Sequence, residues 1–144
     1  GDFLTTRTFQ LISQLRNFDA MDTLAQTTNN ITEGEVRQLI NRNNADITEA
    51  QYFDVIMDKT ARLFQAAAEM TAIICESPHH LRQSLGRYAI HLGAAFQLID
   101  DALDYIGDSQ ELGKNTGDDL AEGKSTLPLI YALQQASPSD AALI

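Results

Sequence analysis

One stretch constrains this chain more than any other. From about residue 79 to 106, apolar side chains recur at Leu81, Leu85, Tyr88, Leu92, Phe96, Ile99, Leu103 and Ile106, always in steps of three or four. A helix with about 3.6 residues per turn keeps all of them on one face, giving a strong amphipathic pattern. A strand would need alternation every second residue. No run in the chain shows that alternation together with β-branched enrichment. The three prolines, at 78, 128 and 138, interrupt no long periodic segment. The expected fold class is all-α.

Other segments follow the same logic. Residues 3–18 place Leu4, Leu11, Ile12, Leu15 and Phe18 on roughly one helical face. Residues 19–43 form a weaker helix whose polar middle, Gln26 to Asn30, faces either solvent or a polar cavity. A loop at 43–46 ends it. Thr48 and Gln51 then make a capping box for a helix over 49–76. Ser77 and Pro78 suit the N-cap and first position of the 79–106 helix. A last helix is expected over 127–136, ended by Pro138.

Size and charge narrow the function. With 144 residues the chain makes one domain or a piece of a larger one. Its 44% hydrophobic and 21% charged residues exclude wholesale disorder. A net charge of −10 argues against nucleic acid and anionic membrane as general partners. No apolar run is long enough to span a bilayer. The single cysteine, Cys75, allows no internal disulfide, fits a reducing compartment and is read as structural within the Ile73-Ile74-Cys75 run. His79, His80 and His91 lack metal-ligand spacing and are read as surface residues. With no signal peptide visible, the expected location is the cytoplasm. The opening Gly1-Asp2-Phe3, without Met, is expected of a piece of a longer protein.

The chemistry concentrates near the end of the best helix. Asp100, Asp101 and Asp104 stand at i, i+1 and i+4, which brings three carboxylates within one turn. They repel one another, and acids at a helix C-terminus oppose its dipole. One reading is a solvated acidic helix end. The other is a divalent-cation site, since hard oxygen ligands suit Mg²⁺, which shares its shell with water and phosphate. An EF-hand fails, because Tyr105 occupies the position that needs the turn glycine.

The surroundings favour the cation site. Gln97 lies one turn before the acids on the same face. After them comes a Gly-rich loop, Gly113 to Lys124. Residues 100–124 hold eight acids and two lysines, a net of −6. Of the chain's three lysines, Lys114 and Lys124 flank this loop, where they can reach phosphate oxygens as mobile point charges. The glycines do not match the P-loop spacing. The third lysine, Lys59, sits at the margin of its helix's apolar stripe. It either snorkels to solvent or lines a cavity as a phosphate ligand with Thr60 beside it. Together these residues point to a Mg²⁺–diphosphate site.

The segment Phe96-Gln97-Leu98-Ile99-Asp100-Asp101-Ala102-Leu103-Asp104-Tyr105 resembles the second aspartate-rich motif of the trans-isoprenyl (polyprenyl) diphosphate synthases. The stretch from Gly113-Lys114 through Gly123-Lys124-Ser125-Thr126-Leu127-Pro128 resembles the loop that follows it in that family. Gly1-Asp2-Phe3-Leu4, Thr32-Glu33-Gly34-Glu35-Val36 and Lys59-Thr60-Ala61-Arg62-Leu63-Phe64 resemble earlier helices in the same order. The wording is nearest to bacterial members that make the long quinone side chain.

The resemblance implies an isoprenoid synthase helical bundle around a central cavity, with residues 1–144 forming its central to C-terminal part. It implies condensation of isopentenyl diphosphate onto an allylic diphosphate of the farnesyl type, giving a long all-trans polyprenyl (octaprenyl) diphosphate. Asp100, Asp101 and Asp104 would hold Mg²⁺, with Asp100 the most direct ligand. Lys59, Thr60 and Gln97 would contact the allylic substrate, and Lys114 and Lys124 would complete the diphosphate clamp. A homodimer through the helices of residues 1–43 is expected as well.

The family pattern also has a first aspartate-rich motif, and basic residues that bind isopentenyl diphosphate, upstream of the matched region. Neither lies within these 144 residues. The chain alone is therefore expected to have little or no activity. The competing expectations are a non-catalytic helical subunit of the same fold and a plain acidic interaction module.

Overall fold

The structure, a computed structural model, describes residues 1–106 and 116–141. Within them every regular element is helical and no strand forms, as the periodicity implies. Helix α1 (Asp2–Gln14) stops earlier than the 3–18 reading. Arg16 adopts a left-handed φ of 52°, which breaks the helix, and Asn17 caps the next one by accepting from the Ala20 amide at 3.1 Å. Phe18 thus opens α2 (Phe18–Ile40) instead of closing α1. The polar middle of α2 faces a polar cleft shared with Arg62, Gln65, Glu69 and Arg82. Thr27 is buried there.

The expected 49–76 helix is a continuous rod with a fault in it. The capping box starts α3 (Glu49–Ile56): Thr48 accepts from the Gln51 amide at 3.2 Å, and Gln51 accepts from the Thr48 amide at 2.9 Å. A π-helical turn, Met57–Ala61, follows, and α4 (Arg62–Ile74) resumes the ordinary pitch. Such a turn holds one extra residue and is commonly found at functional sites.

Two neighbours lie against that turn. A Cβ on Gly34 of α2 would lie 3.0 Å from the Lys59 amide nitrogen and 3.1 Å from Asp58 Cβ. A Cβ on Gly93 of α5 (His79–Ile106) would lie 2.8 Å from Ala61 Cα. Both helices therefore pack backbone to backbone against the turn, which only glycine permits. Asp58, within the turn, bridges Arg37 of α2 and Arg62 of α4, the latter at 2.7 Å.

The apolar stripe of α5 is not its main packing face, although Phe96 meets Phe64 of α4 with ring centroids 5.6 Å apart. Leu81, Leu85, Tyr88, Leu92, Phe96, Ile99 and Ile106 are all exposed. The buried positions are Gly86, Ala89, Gly93, Asp101 and Asp104, a face of small residues ending in acids. Small side chains let two helix axes come close, so the small face meets α4 and most of the large apolar one stays exposed.

Short helices α6 (Asp118–Ala121), α7 (Leu127–Gln135) and α8 (Pro138–Ala141) complete the described chain. Pro138 opens α8 as well as following α7. Ile130 of α7 joins Ile47, Tyr52 and Ile56 in a buried cluster, with Phe53, Leu98 and Leu127 packed against it. This cluster forms the floor of the site. Cys75 is exposed at the end of α4, so the apolar run around it does not bury it. The three histidines are exposed. No described helix is long and apolar enough to cross a membrane.

The Asp58 bridge gives a pH test. Burial alone would raise its pKa, but hydrogen bonds and charge from Arg62 and Arg37 outweigh burial and hold it below the usual carboxylate value of 3.8. A group depressed in this way stabilises the fold above its unfolded pKa and loses that effect as pH falls through its folded pKa. Asp58→Asn should therefore cost about 1–2 kcal/mol of unfolding free energy at pH 7. The difference from the unsubstituted chain should shrink below pH 3.8 in chemical unfolding. A difference that persists unchanged to lower pH would contradict the ion-pair account.

Candidate active site

A cavity of about 230 Å³ opens between the end of α2, the π turn, the last third of α5 and the 116–126 loop. Each wall contributes polar side chains. The π turn projects Lys59 and Thr60 into it, α5 contributes Gln97, Asp100 and Asp101, and the loop contributes Asp119 and Lys124. Ile47, Val55 and Ile56 supply the apolar part of the lining.

A chain of hydrogen bonds runs across the floor. The Thr60 hydroxyl donates to Gln97 Oε1 at 2.9 Å. Gln97 Nε2 donates to Asp101 Oδ1 at 2.7 Å and makes a longer contact of 3.4 Å to Asp100 Oδ2. The Tyr52 hydroxyl donates to Asp101 Oδ2 at 2.6 Å. Both oxygens of Asp101 are thus occupied, and the residue is only 4% exposed. No fully buried side-chain nitrogen or oxygen among the described residues lacks a partner. A closed network of this kind is rigid, because any displacement strands a buried polar group.

The electrostatics fit that picture. Burial pushes the Asp101 carboxyl up, and the Asp119 and Asp100 charges add to it, while the Tyr52 and Gln97 bonds only partly offset the rise. Burial, then the bond to Asp101 and its charge, push the Tyr52 phenol well above its ordinary value, so it remains a donor. Asp104 lies beneath the cavity, 1% exposed, and does not line it. Its carboxylate accepts the Asp119 amide at 3.2 Å, and its carbonyl accepts the Gly117 amide at 2.8 Å. It therefore fastens the returning loop to α5.

The two described lysines stand at the mouth. Lys59 donates to Gln38 Oε1 at 2.7 Å and lines the cavity. Lys124 donates to Asp119 at 2.9 Å and Glu122 at 2.7 Å. Burial would lower its pKa, but those two carboxylates outweigh burial and raise it, so the ammonium stays charged.

Six of the residues singled out from sequence, Lys59, Thr60, Gln97, Asp100, Asp101 and Lys124, therefore meet around one cavity. Asp104 is placed behind it, and Lys114 lies outside the described residues. Sequence reasoning missed Gln38 and Tyr52. A signal for Tyr52 existed: it precedes Lys59 by seven residues, two helical turns, on the same rod. Gln38 offered none, because it is one glutamine among the polar residues of α2. Among the described residues, no three His, Cys, Asp or Glu side chains converge into a metal cage of their own. A cation here would have to share its shell with water and a ligand, as Mg²⁺ commonly does.

Tyr52→Phe tests the network. It leaves Asp101 Oδ2 buried without its donor, a loss of about 1–3 kcal/mol. Thermal unfolding should report that loss. Stability equal to that of the unsubstituted chain would contradict the network's role.

The family model for polyprenyl synthetase matches residues 1–144. Octaprenyl diphosphate synthase of Haemophilus influenzae is 49% identical over 144 residues, covering 100% of this chain and 44% of that protein. An all-trans-nonaprenyl-diphosphate synthase (geranyl-diphosphate specific) of Rhodobacter capsulatus is 47% identical, again covering 100% of this chain and 44% of the relative. Among solved structures, a polyprenyl synthase from Caulobacter crescentus, complexed with calcium and isoprenyl diphosphate, superposes with a TM-score of 0.95 at 43% identity, covering 99% of this chain and 43% of that one. The chain thus spans less than half the length of these relatives. Its helices have the all-α isoprenoid synthase fold, and the chain belongs to the polyprenyl synthetase family.

Proposed function

We propose that these residues form the second half-site of a prenyltransferase. It would condense isopentenyl diphosphate units onto an allylic diphosphate and release an all-trans polyprenyl diphosphate of about octaprenyl length for a quinone side chain. One observation carries the reading. Lys59, Thr60, Gln97, Asp100 and Lys124 converge from three separate segments on one cavity. Two cations, two neutral donors and a carboxylate are what a metal-bound diphosphate needs around it. The names of the relatives support the reaction class. They differ in product length at nearly equal identity, so they leave the length to be measured.

The donor set fits a divalent cation. Asp100 faces the cavity with hard oxygens, and Asp101 and Asp104 lie on the same turn of α5 behind it. Mg²⁺ held by Asp100, with water and the diphosphate completing its shell and Asp101 and Asp104 adding negative charge from behind, would stabilise negative charge on a departing diphosphate. The protein's own contribution is positional. Lys59, from the π turn, and Lys124, from the returning loop, both line the cavity as charges that favour the diphosphate anion. The Thr60–Gln97–Asp101–Tyr52 chain keeps the donors from rotating away. Ile47, Val55 and Ile56 limit water beside the reacting carbon.

The same reading makes the protein a cytoplasmic homodimer that pairs through the helices of residues 1–43. The exposed Phe3, Leu4, Leu11, Leu15 and Phe18 support it, because such a surface is costly in water. It also makes the 144 residues inactive alone, since the partner carboxylates and basic residues lie elsewhere.

The test is a chimera in which these 144 residues replace the matching segment of the Haemophilus influenzae octaprenyl diphosphate synthase. It should incorporate labelled isopentenyl diphosphate onto farnesyl diphosphate only with Mg²⁺, and chromatography would read the product length. Asp100→Asn should lower turnover by about 10²-fold or more. A folded chimera without turnover would overturn the catalytic reading and favour a non-catalytic subunit.

A further inference from the structure

Residues 42–44, in the loop between α2 and α3, line no part of the cavity, yet they grip the lysine loop at three successive positions. Arg42 Nε donates to the Glu122 carbonyl. The Asn43 amide donates to the Gly123 carbonyl at 2.8 Å. The Ser125 hydroxyl donates to the Asn44 carbonyl at 2.8 Å. These contacts join segments about 80 residues apart in sequence and bracket Lys124 on both sides.

The grip has no slack. Asn43 has a left-handed φ of 57° and Gly123 one of 72°. A Cβ on Gly123 would overlap Asn43 Oδ1 and lie 2.9 Å from its Cγ. Gly123 is therefore required twice, by its own backbone angle and by the side chain pressed against it. The next residue is Lys124, whose amide donates to the Asp119 carbonyl at 2.9 Å while its ammonium reaches Asp119 and Glu122. Shifting the backbone at 123 must move the root of that side chain.

We infer that the 42–44 segment is a strap that aims Lys124 into the cavity, with Asn43 and Gly123 as positioning residues for its diphosphate contact. The inference rests on the assignment of Lys124 to diphosphate made above. It adds that the 42–44 segment, which does not line the cavity, governs that contact. A long flexible lysine gains most from a fixed root, because its rotamer entropy opposes ordering at the ligand.

The experiment is a double-mutant cycle in the chimera, read as the Kd of inorganic diphosphate with Mg²⁺ by calorimetry, with melting temperature followed in parallel. Gly123→Ala should weaken binding by about tenfold where Lys124 is present and by less than about twofold where it is already Lys124→Ala, since coupled residues are non-additive. Adding Asn43→Gly to Gly123→Ala should recover part of the affinity, because it removes the side chain that the new methyl meets but leaves alanine in a left-handed backbone. A merely structural glycine would give equal losses with and without Lys124 and no rescue, and that result would overturn the strap. Wild-type affinity in Gly123→Ala, with Lys124→Ala still impaired, would also overturn it while leaving the lysine assignment standing. Unimpaired binding by Lys124→Ala would overturn both, as would an absence of binding by the unsubstituted chimera.

Discussion

The backbone of α5 rests on the backbone of the π turn where Gly93 meets Ala61, and the rest of the site follows from that contact. Gln97 is one turn beyond Gly93, and Thr60 is the residue before Ala61, so their 2.9 Å hydrogen bond is possible only while the two helices stay this close. From Gln97 the next turn of α5 delivers Asp100 and Asp101 to the cavity. On the other side of the rod, Gly34 allows α2 the same approach to Asp58 and Lys59, which puts Gln38 within 2.7 Å of the lysine. The extra residue in the π turn is thus seated between two helices, and Asp58 ties it to Arg37 and Arg62.

The acidic turn illustrates how a locally unfavourable sequence is accommodated. Three aspartates at the end of α5 repel one another and oppose the helix dipole. The fold gives each a different setting. Asp101 is enclosed by donors from Tyr52 and Gln97, Asp104 accepts the Asp119 amide from the loop, and Asp100 faces the cavity. Asp101 and Asp104 therefore hold elements together, and through Asp104 the acidic turn anchors the same loop that carries Lys124. The lysine's own contacts to Asp119 and Glu122 keep positive charge beside that acid without neutralising the cavity as a whole.

Much of this was legible from the residues, because helix periodicity, the Thr48–Gln51 box and the spacing of the three aspartates are local properties. The ordered motifs also placed Lys59, Thr60 and Gln97 in the same site although they lie on different helices. Which face of α5 packs was not legible. The regular leucine stripe dominates any periodicity count, whereas Gly86, Ala89 and Gly93 register only as gaps, and it is these gaps that let α4 approach. The π turn was equally hidden, since an extra residue in one turn barely disturbs a pattern of threes and fours. The partners Gln38 and Tyr52, and the strap at 42–44, depend on contacts between distant segments, and no local spacing encodes those.

The most direct test of the central claim is Gly93→Ala in the chimera, with melting temperature and Mg²⁺–diphosphate affinity measured on the same sample. Alanine is the better helix former by about 1 kcal/mol, so propensity alone predicts a more stable protein. If the Gly93–Ala61 contact sets the site, the added methyl must push α5 away from the π turn. Melting temperature and affinity should then both fall, because Gln97 and Asp100 move away from Thr60 and Lys59. Unchanged or increased stability together with wild-type affinity would contradict the account.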